Sequence, residues 1–365
     1  EFDRAFKGFL RDGVLDVRAR LETIEGVLAG QGPRLDLLRR HLMGRPPGQP
    51  MDLLNPYRLS LAFRGRTEER DRLAKWLASD TPVSVKLVTG PAGAGKTRLA
   101  LETCGEAYAL GWEAGFIEHR ELERFVAQDN ARQWMWGGPT LVVVDYAAAG
   151  AASLRAWFEE LALDEGRERP KLRILLLERH GSEDASWWRD LTGAARQSDW
   201  RLPELFDAEP ILPLPGLVTP EARAALLEEI LAHGARWSGN PLPSVPGPGE
   251  NAAIDQLVWE PASAPAPLDI AMQGVLWVHE GEFAAMLGTR REAARALANH
   301  EYGRIRTLAE NWGGDPRLAA LVVASITLQG GMPLGELARQ IRADRDVLAV
   351  ESDAGAVDRI EPVVK

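Results

Sequence analysis

One cysteine, Cys104, stands in a chain of 365 residues, so no internal disulfide and no multi-thiolate metal site can form. Lysine is nearly as scarce: six lysines stand against 37 arginines, and a lysine at a motif position therefore stands out. No stretch approaches the roughly 18 uninterrupted apolar residues needed to span a bilayer. No charged-then-apolar leader opens the chain, so a membrane or secreted placement is not expected and the reading is cytoplasmic. No repeat with a period of roughly 20–50 residues occurs, which excludes a solenoid array within this sequence. The opening Glu1-Phe2-Asp3-Arg4 lacks a Met and reads as an interior cut from a longer protein.

What is present is ordinarily globular, with 45% hydrophobic and 26% charged residues, enough for a large core. The formal net charge is -10 and the pI near 5.3, which argues against non-specific nucleic-acid binding by the whole surface. No direct nucleic-acid partner is expected. The twelve tryptophans, among them Trp134, Trp136, Trp187 and Trp188, have no interleaved basic run and read as core or interface packing. The six histidines have no metal-ligand spacing.

Along the chain, residues 1–43 form an N-terminal helical segment. Val17, Leu21, Ile24 and Leu28 recur there at spacings of four and three, an amphipathic helix or a short coiled-coil seam. Residues 44–56 (GRPPGQPMDLLNP) break any helix and read as a linker. From residue 57 to 218 helical and apolar strand-like segments alternate. Helices are expected at 67–78, 96–108, 121–128, 152–163 and 183–195, and strands at 83–89, 114–117, 141–144, 172–177 and 211–214. Such alternation indicates a parallel α/β sheet. Thr219-Pro220-Glu221 then starts a helix, with a hydroxyl cap, a proline in the first turn and an acid at the positive dipole end. The remainder reads as helices at 220–233, 252–259, 268–287, 291–312, 316–328 and 333–342, with a strand or wing at 347–350.

Gly90-Pro91-Ala92-Gly93-Ala94-Gly95-Lys96-Thr97 matches GxxxxGK[ST] between an expected strand and an expected helix. Glycines let successive backbone N–H groups turn toward phosphate oxygens, and the helix N-terminus adds partial positive charge. Lys96 should reach the β- and γ-phosphates and the Thr97 hydroxyl should ligate Mg²⁺. Leu141 to Asp145 is an apolar strand ending in a carboxylate, the second element of such sites. Many fast ATPases place another acid directly after this Asp. Here Tyr146-Ala147-Ala148-Ala149 follows and the next carboxylate in sequence is Glu159, so hydrolysis is expected to be slow or absent. Arg179 ends the strand at 172–177, where it faces the ligand crevice of an open α/β sheet or pairs at the surface with Glu178 or Glu183.

Five stretches, in this order, resemble the STAND class of signal-transduction ATPases, which includes NLR-type immune receptors. Phe63-Arg64-Gly65-Arg66-Thr67-Glu68-Glu69 resembles the element preceding the first strand of that class, departing from it at Arg64 and Thr67. The phosphate loop follows, then Val142-Val143-Val144-Asp145-Tyr146-Ala147, similar to a bacterial subgroup that continues with Glu where this chain has Ala148. Ile174 to Arg179 resembles the sensor strand, with Glu178 in place of a small or hydroxyl residue, and Ile211-Leu212-Pro213-Leu214 resembles the Pro-containing element near the adenine.

The resemblance implies a P-loop NTPase parallel sheet at 57–218, a helical lid at 219–286 and a winged-helix-like domain at 287–365. It also implies ATP or ADP with Mg²⁺ as ligands. The residues that would hold the nucleotide are Phe63, Gly65, Arg66, Gly90, Pro91, Ala92, Gly93, Ala94, Gly95, Lys96, Thr97, Arg98 and Pro213. Lys96, Asp145 and Arg179 would act on the phosphates, and Thr97 and Asp145 on the metal. The function implied is a signalling switch that self-associates into a ring or filament, with an upstream effector and a downstream sensor, in bacterial antiphage defence. A transcriptional regulator of the same class or an AAA-type motor is the alternative.

Overall fold

The computed structural model describes residues 35–42, 44–127, 134, 136–163, 169–181, 185–193, 201–238, 244–262, 264–280 and 289–311. The apolar stripe at 17–28 and everything expected beyond residue 311 lie outside these. Two compact units are present, Glu1–Ala271 and Met272–Lys365.

The first unit is built on five parallel strands: β1 (Val83–Thr89), β2 (Glu113–Ile117), β3 (Thr140–Asp145), β4 (Leu172–Glu178) and β5 (Phe206–Pro213). Their spatial order is β2-β3-β4-β1-β5. Helix α1 (Thr67–Ala78) leads into β1, and helices α2 (Lys96–Ala109), α3 (His119–Val126), α4 (Ala151–Ala162) and α5 (Ser186–Thr192) connect the strands. This is the α/β P-loop NTPase fold that the alternation and the phosphate loop led us to expect.

The central strands are buried on both faces: β3 carries the unbroken apolar run Leu141–Val144, while β1 and β4 also bury Ser84, Lys86 and Arg173 among their apolar residues. One face packs Val85, Leu87, Val142, Val144, Ile174 and Leu176 against α3, α4 and α5. The tryptophans concentrate there: Trp157, Trp134 and Phe125 meet edge to face at 5.4–6.0 Å, and Trp188 packs on Phe206 at 5.3 Å. Trp134, Trp136, Trp157 and Trp188 are thus core residues. The other face packs Val88, Leu141, Val143, Leu175 and Leu177 against α1 and α2. Cys104 is buried in that layer, and burial pushes its thiol up to about 12, so it is inert at neutral pH.

Two buried cations brace the sheet. Arg173, fully buried on β4, donates to the carbonyls of Trp76, Ser79 and Thr81 at 2.7–3.0 Å, tying down the chain at and just past the end of α1. Burial holds its guanidinium down to about 10. Lys86 on β1 donates to Asp207 Oδ1 at 2.6 Å and to the Glu209 carbonyl at 2.7 Å. These bonds fill an irregularity where β5 shifts register between Val85 and Leu87. That irregularity, with Pro210 inside it, is why β5 begins at Phe206 although only 211–214 reads as strand.

The Pro-rich stretch read as a linker is folded. Pro50–Leu54 and Pro56–Arg58 form 3-10 turns, and Asn55 caps the second by accepting from Tyr57 N at 3.0 Å. Just upstream, Leu38 bridges edge strand β2 at Phe116, with backbone bonds of 2.7 and 3.0 Å.

After β5, α6 (Pro220–Ser238) starts where Thr219-Pro220-Glu221 says it should, with Thr219 Oγ1 accepting from Ala222 N at 3.4 Å. It continues past His233 and Gly234, five residues beyond the expected end at 233. Arg223, buried on it, donates to the carbonyls of Leu217, Val218 and Val258 and ties the helix to the flanking loops. The expected 252–259 helix is a short α turn, Ala252–Ile254, widening into a π turn, Asp255–Trp259. Then come α7 (Pro267–Glu280) and α8 (Arg290–Asn311). The division between the two units falls within α7. In the second unit His300 Nε2 lies 2.7 Å from Glu280 Oε1, and its ring stacks on His279 at 4.7 Å. Among the described residues no helix is long and apolar enough to cross a membrane.

Candidate functional site

β1 delivers the chain into the Gly90–Gly95 loop at the carboxyl edge of the sheet, the edge at which open α/β sheets take ligands. Gly93 and Gly95 adopt φ of +78° and +96°, a left-handed backbone that any Cβ would strain, and Gly95 caps α2. Lys96 Nζ donates to the Gly90 carbonyl at 2.6 Å and the Pro91 carbonyl at 3.1 Å. Burial lowers the affinity of this half-buried ammonium for its proton, while the negative Asp145 and Glu178 oppose that shift.

Asp145, at the end of β3, accepts from Thr97 Oγ1 at 2.9 Å and from Tyr146 N at 3.0 Å. The two residues 48 positions apart that were expected to share a metal therefore touch. Burial raises the Asp145 carboxyl above the usual carboxylate range. Both side chains offer hard oxygen donors, the ligand type Mg²⁺ prefers. Among the described residues no group of three or more His, Cys, Asp or Glu could hold a metal alone. A Mg²⁺ ion held by Thr97 and Asp145 would thus complete its shell with phosphate oxygens and water, and would supply charge neutralisation there.

These groups line one cavity of about 410 Å³, within the roughly 300–1,000 Å³ of small-molecule sites. Its polar end holds residues 93–97, Asp145, Glu178 and Arg179. The Arg179 side chain is exposed there and close enough to Lys96 to disfavour its charge. It has no hydrogen bond or ion pair to another side chain among the described residues; Glu183, its conceivable surface partner, lies outside them. The rest of the lining is largely apolar and comes from segments before and after the sheet in sequence: Leu53, Pro56, Leu59 and Phe63 upstream, Leu217, Leu226 and Pro267 downstream.

Not every residue singled out from the sequence lines this cavity. Phe63, Arg66, Ala92 to Arg98, Asp145 and Arg179 do; Gly65, Gly90, Pro91 and Pro213 do not. Pro213 is exposed and pairs with Thr89 at the sheet edge. A Cβ on Gly90 would meet the Leu214 carbonyl at 2.4 Å, so this glycine permits the loop to pack on the chain after β5. Gly65 packs in the same way against Ala222 of α6.

Arg66 is only 4% exposed and its guanidinium is spent on the protein. It donates to the Ala94 carbonyl at 3.0 Å and the Pro215 carbonyl at 2.5 Å, and pairs with Glu69 at 3.0 Å. It is a clamp between the phosphate loop and the chain after β5. Arg98 similarly donates to the Leu61 carbonyl at 2.9 Å and lies over the Phe63 ring at 5.7 Å. Glu178 and, apart from Phe63, the upstream apolar wall were missed as site residues. Glu178 stands beside Arg179 in the sensor-like strand, a signal that was on view; Leu53 and Pro56 had none, because the Pro-rich stretch around them read as a linker.

No family model matches the chain, and no curated protein matches it. Solved structures resemble it in fold. The Orc1 protein of Aeropyrum pernix, in complex with DNA, is 18% identical over 87% of this chain and 86% of that one, with a TM-score of 0.39. AMPPCP-bound DnaA from Aquifex aeolicus is 15% identical over 79% and 89%, with a TM-score of 0.39. A replication initiator DnaA bound to AMPPCP and single-stranded DNA is 13% identical over 82% and 88%, with a TM-score of 0.40. These structures overturn the expectation that direct nucleic-acid binding is excluded, since two of them carry DNA. The exclusion rested on net charge, which sums over the whole surface, whereas binding depends on a local patch.

Proposed function

We propose that this chain is an ATP- or ADP-binding switch in which the state of the phosphates is coupled to conformational change and oligomerisation. On this reading residues 57–218 bind the nucleotide, 219–286 act as a helical lid and 287–365 as a winged-helix-like domain. The order of the STAND-like motifs supports a role as the core of a bacterial NLR-like immune receptor with slow turnover.

The observation that carries the proposal is the Thr97–Asp145 bond at 2.9 Å in a cavity whose walls come from residues 53–63 and 217–271. A ligand on the phosphate loop would touch both walls at once. Leu268 N, in the first turn of α7, donates to the Gly93 carbonyl at 3.3 Å, so the loop that cradles phosphate also touches this helix. Glu229 of α6 accepts from Ala62 N at 2.8 Å and links the downstream helix to the upstream strap. Differential contact of ATP and ADP with these segments is what a switch requires.

Calorimetric titration of the full chain with ATP, ADP and GTP in Mg²⁺, beside Lys96→Ala, tests the binding. Micromolar affinity for the adenine nucleotides that falls at least tenfold in the variant is expected. Equal affinity in both proteins removes Lys96 from the site. Light scattering in ATP against ADP tests the coupling, and one mass in both states counts against assembly. The AAA-type motor alternative demands steady hydrolysis, which a switch that retains its nucleotide does not show.

A further inference from the structure

In sequence, the carboxylate nearest after Asp145 is Glu159, a helix away, and on that ground hydrolysis looks unsupported. The sheet order changes this. β4 lies between β1 and β3, so its last residue emerges between the phosphate loop and Asp145. In register, Leu177 pairs with Asp145 on one side, and Glu178 pairs with Thr89, the residue before the loop, on the other. Glu178 lines the cavity with Lys96, Thr97, Asp145 and Arg179.

Its carboxylate is held. Oε2 accepts from the backbone N–H of Ala148 at 3.1 Å, and Oε1 accepts from that of Arg179 at 2.6 Å. Ala148 lies three residues after Asp145, within the Tyr146–Ala149 stretch that carries no acid. The backbone there fastens an acid borrowed from the neighbouring strand. Each carboxylate oxygen keeps a further lone pair that neither bond uses, so the group can still accept from a water. It is also close enough to Lys96 to favour that ammonium's charge, which places it at the phosphate end of the cavity.

We infer that Glu178 is the catalytic base for nucleoside triphosphate hydrolysis, in place of an acid following Asp145; this rests on the nucleotide-binding reading above. Glu178 accepts a hydrogen bond from a water in line with the γ-phosphate. The water oxygen bonds to the γ-phosphorus as the bond from that phosphorus to the β–γ bridging oxygen breaks. The bridging electron pair stays on the diphosphate, and the water's proton passes to Glu178 and on to solvent. The products are ADP and inorganic phosphate. The competing role is structural: a carboxylate that merely caps the turn at Ala147–Gly150, which follows Asp145 and Tyr146. A glutamine would retain a carbonyl acceptor for that cap but could not take a proton.

The test is single-turnover phosphate release by the full chain with ATP and Mg²⁺, alongside ATP affinity, for wild type, Glu178→Gln and Glu178→Asp. We expect measurable release by wild type. We expect Glu178→Gln to bind ATP within about threefold of wild type and to hydrolyse it about 100-fold more slowly or worse, the usual scale for a lost general base. Glu178→Asp, which withdraws the carboxylate by one methylene, should bind normally and lose at least about tenfold in rate. Release by Glu178→Gln at the wild-type rate overturns the inference. If that variant proves unfolded by its melting curve, Glu178→Asp decides: an unchanged rate overturns the inference. Wild type that binds ATP but releases no phosphate also overturns it and leaves the switch reading standing. Wild type that binds no nucleotide removes both.

Discussion

Arg66 offers the sharpest test of how this site is built, because its sequence context and its surroundings point to different roles. The family resemblance places it among the residues that hold the nucleotide, in the Phe63–Arg66 element that would flank the base, whereas the structure makes it a buried clamp on the phosphate loop. Replacing Arg66 with Met keeps most of the volume and removes the guanidinium. Three charge-assisted bonds go with it, to Ala94 O, Pro215 O and Glu69. Such bonds contribute about 1.5–3 kcal/mol each, and deleting one member of a buried ionic network costs about 3–5 kcal/mol. The apolar Met side chain offsets part of this, so a net loss of about 3 kcal/mol is expected. At roughly 2–4 °C per kcal/mol for a unit of this size, the Tm should fall by about 6–12 °C without nucleotide.

The clamp also orders the carbonyl of Ala94, in the middle of the loop. Its removal should weaken ATP and inorganic tripolyphosphate alike, by about tenfold, or about 1.4 kcal/mol. A base-contact role gives the opposite pattern: an unchanged Tm, weaker ATP and unaffected tripolyphosphate. Thermal melting and calorimetry with both ligands separate the two. An unchanged Tm together with a selective loss of ATP affinity refutes the clamp.

Two further outcomes follow from the buried charges. Burial raises the Asp145 carboxyl above its unfolded value, so its ionised form opposes folding once the pH rises through that raised value. Asp145→Asn should therefore melt higher than wild type at pH 7–8 without ligand, an advantage that shrinks as the pH falls toward the ordinary carboxylate range; a constant gap across pH sinks the argument. Arg173→Met should cost about 3 kcal/mol by removing the donor to the carbonyls of Ser79 and Thr81 and one of the donors to that of Trp76, with ATP affinity unchanged in the folded protein. A denaturant midpoint equal to wild type contradicts its bracing role.

Much of the fold was legible because it rests on local patterns. Helix 67–78 and strand 83–89 begin and end where their periodicity and flanking residues say. The phosphate loop is a contiguous string, and its context confirms it. The failures share a cause: they depend on partners distant in sequence. Residues 206–210 do not look like strand, because Lys86 from β1 satisfies the polar groups of that irregular edge. The 44–56 stretch looks like a linker, because its turns are held by packing that its own residues do not announce. Arg66 matches a motif position, yet its partners lie 28 and 149 residues away. Net charge carried no information on where charge lies, which is why the exclusion of nucleic acid did not stand.

By itself the sequence determined that an anion-binding turn follows an apolar strand, and that a carboxylate strand comes about 50 residues later, since both are short-range statements about backbone conformation and burial. Tertiary structure alone decided which neighbours those elements have. Inserting β4 between β1 and β3 brings Glu178 beside a site that seemed to lack an acid, and folding the upstream turns against α6 closes the cavity. Strand order and side-chain reach are set by packing across the whole sheet, and no window along the chain contains them.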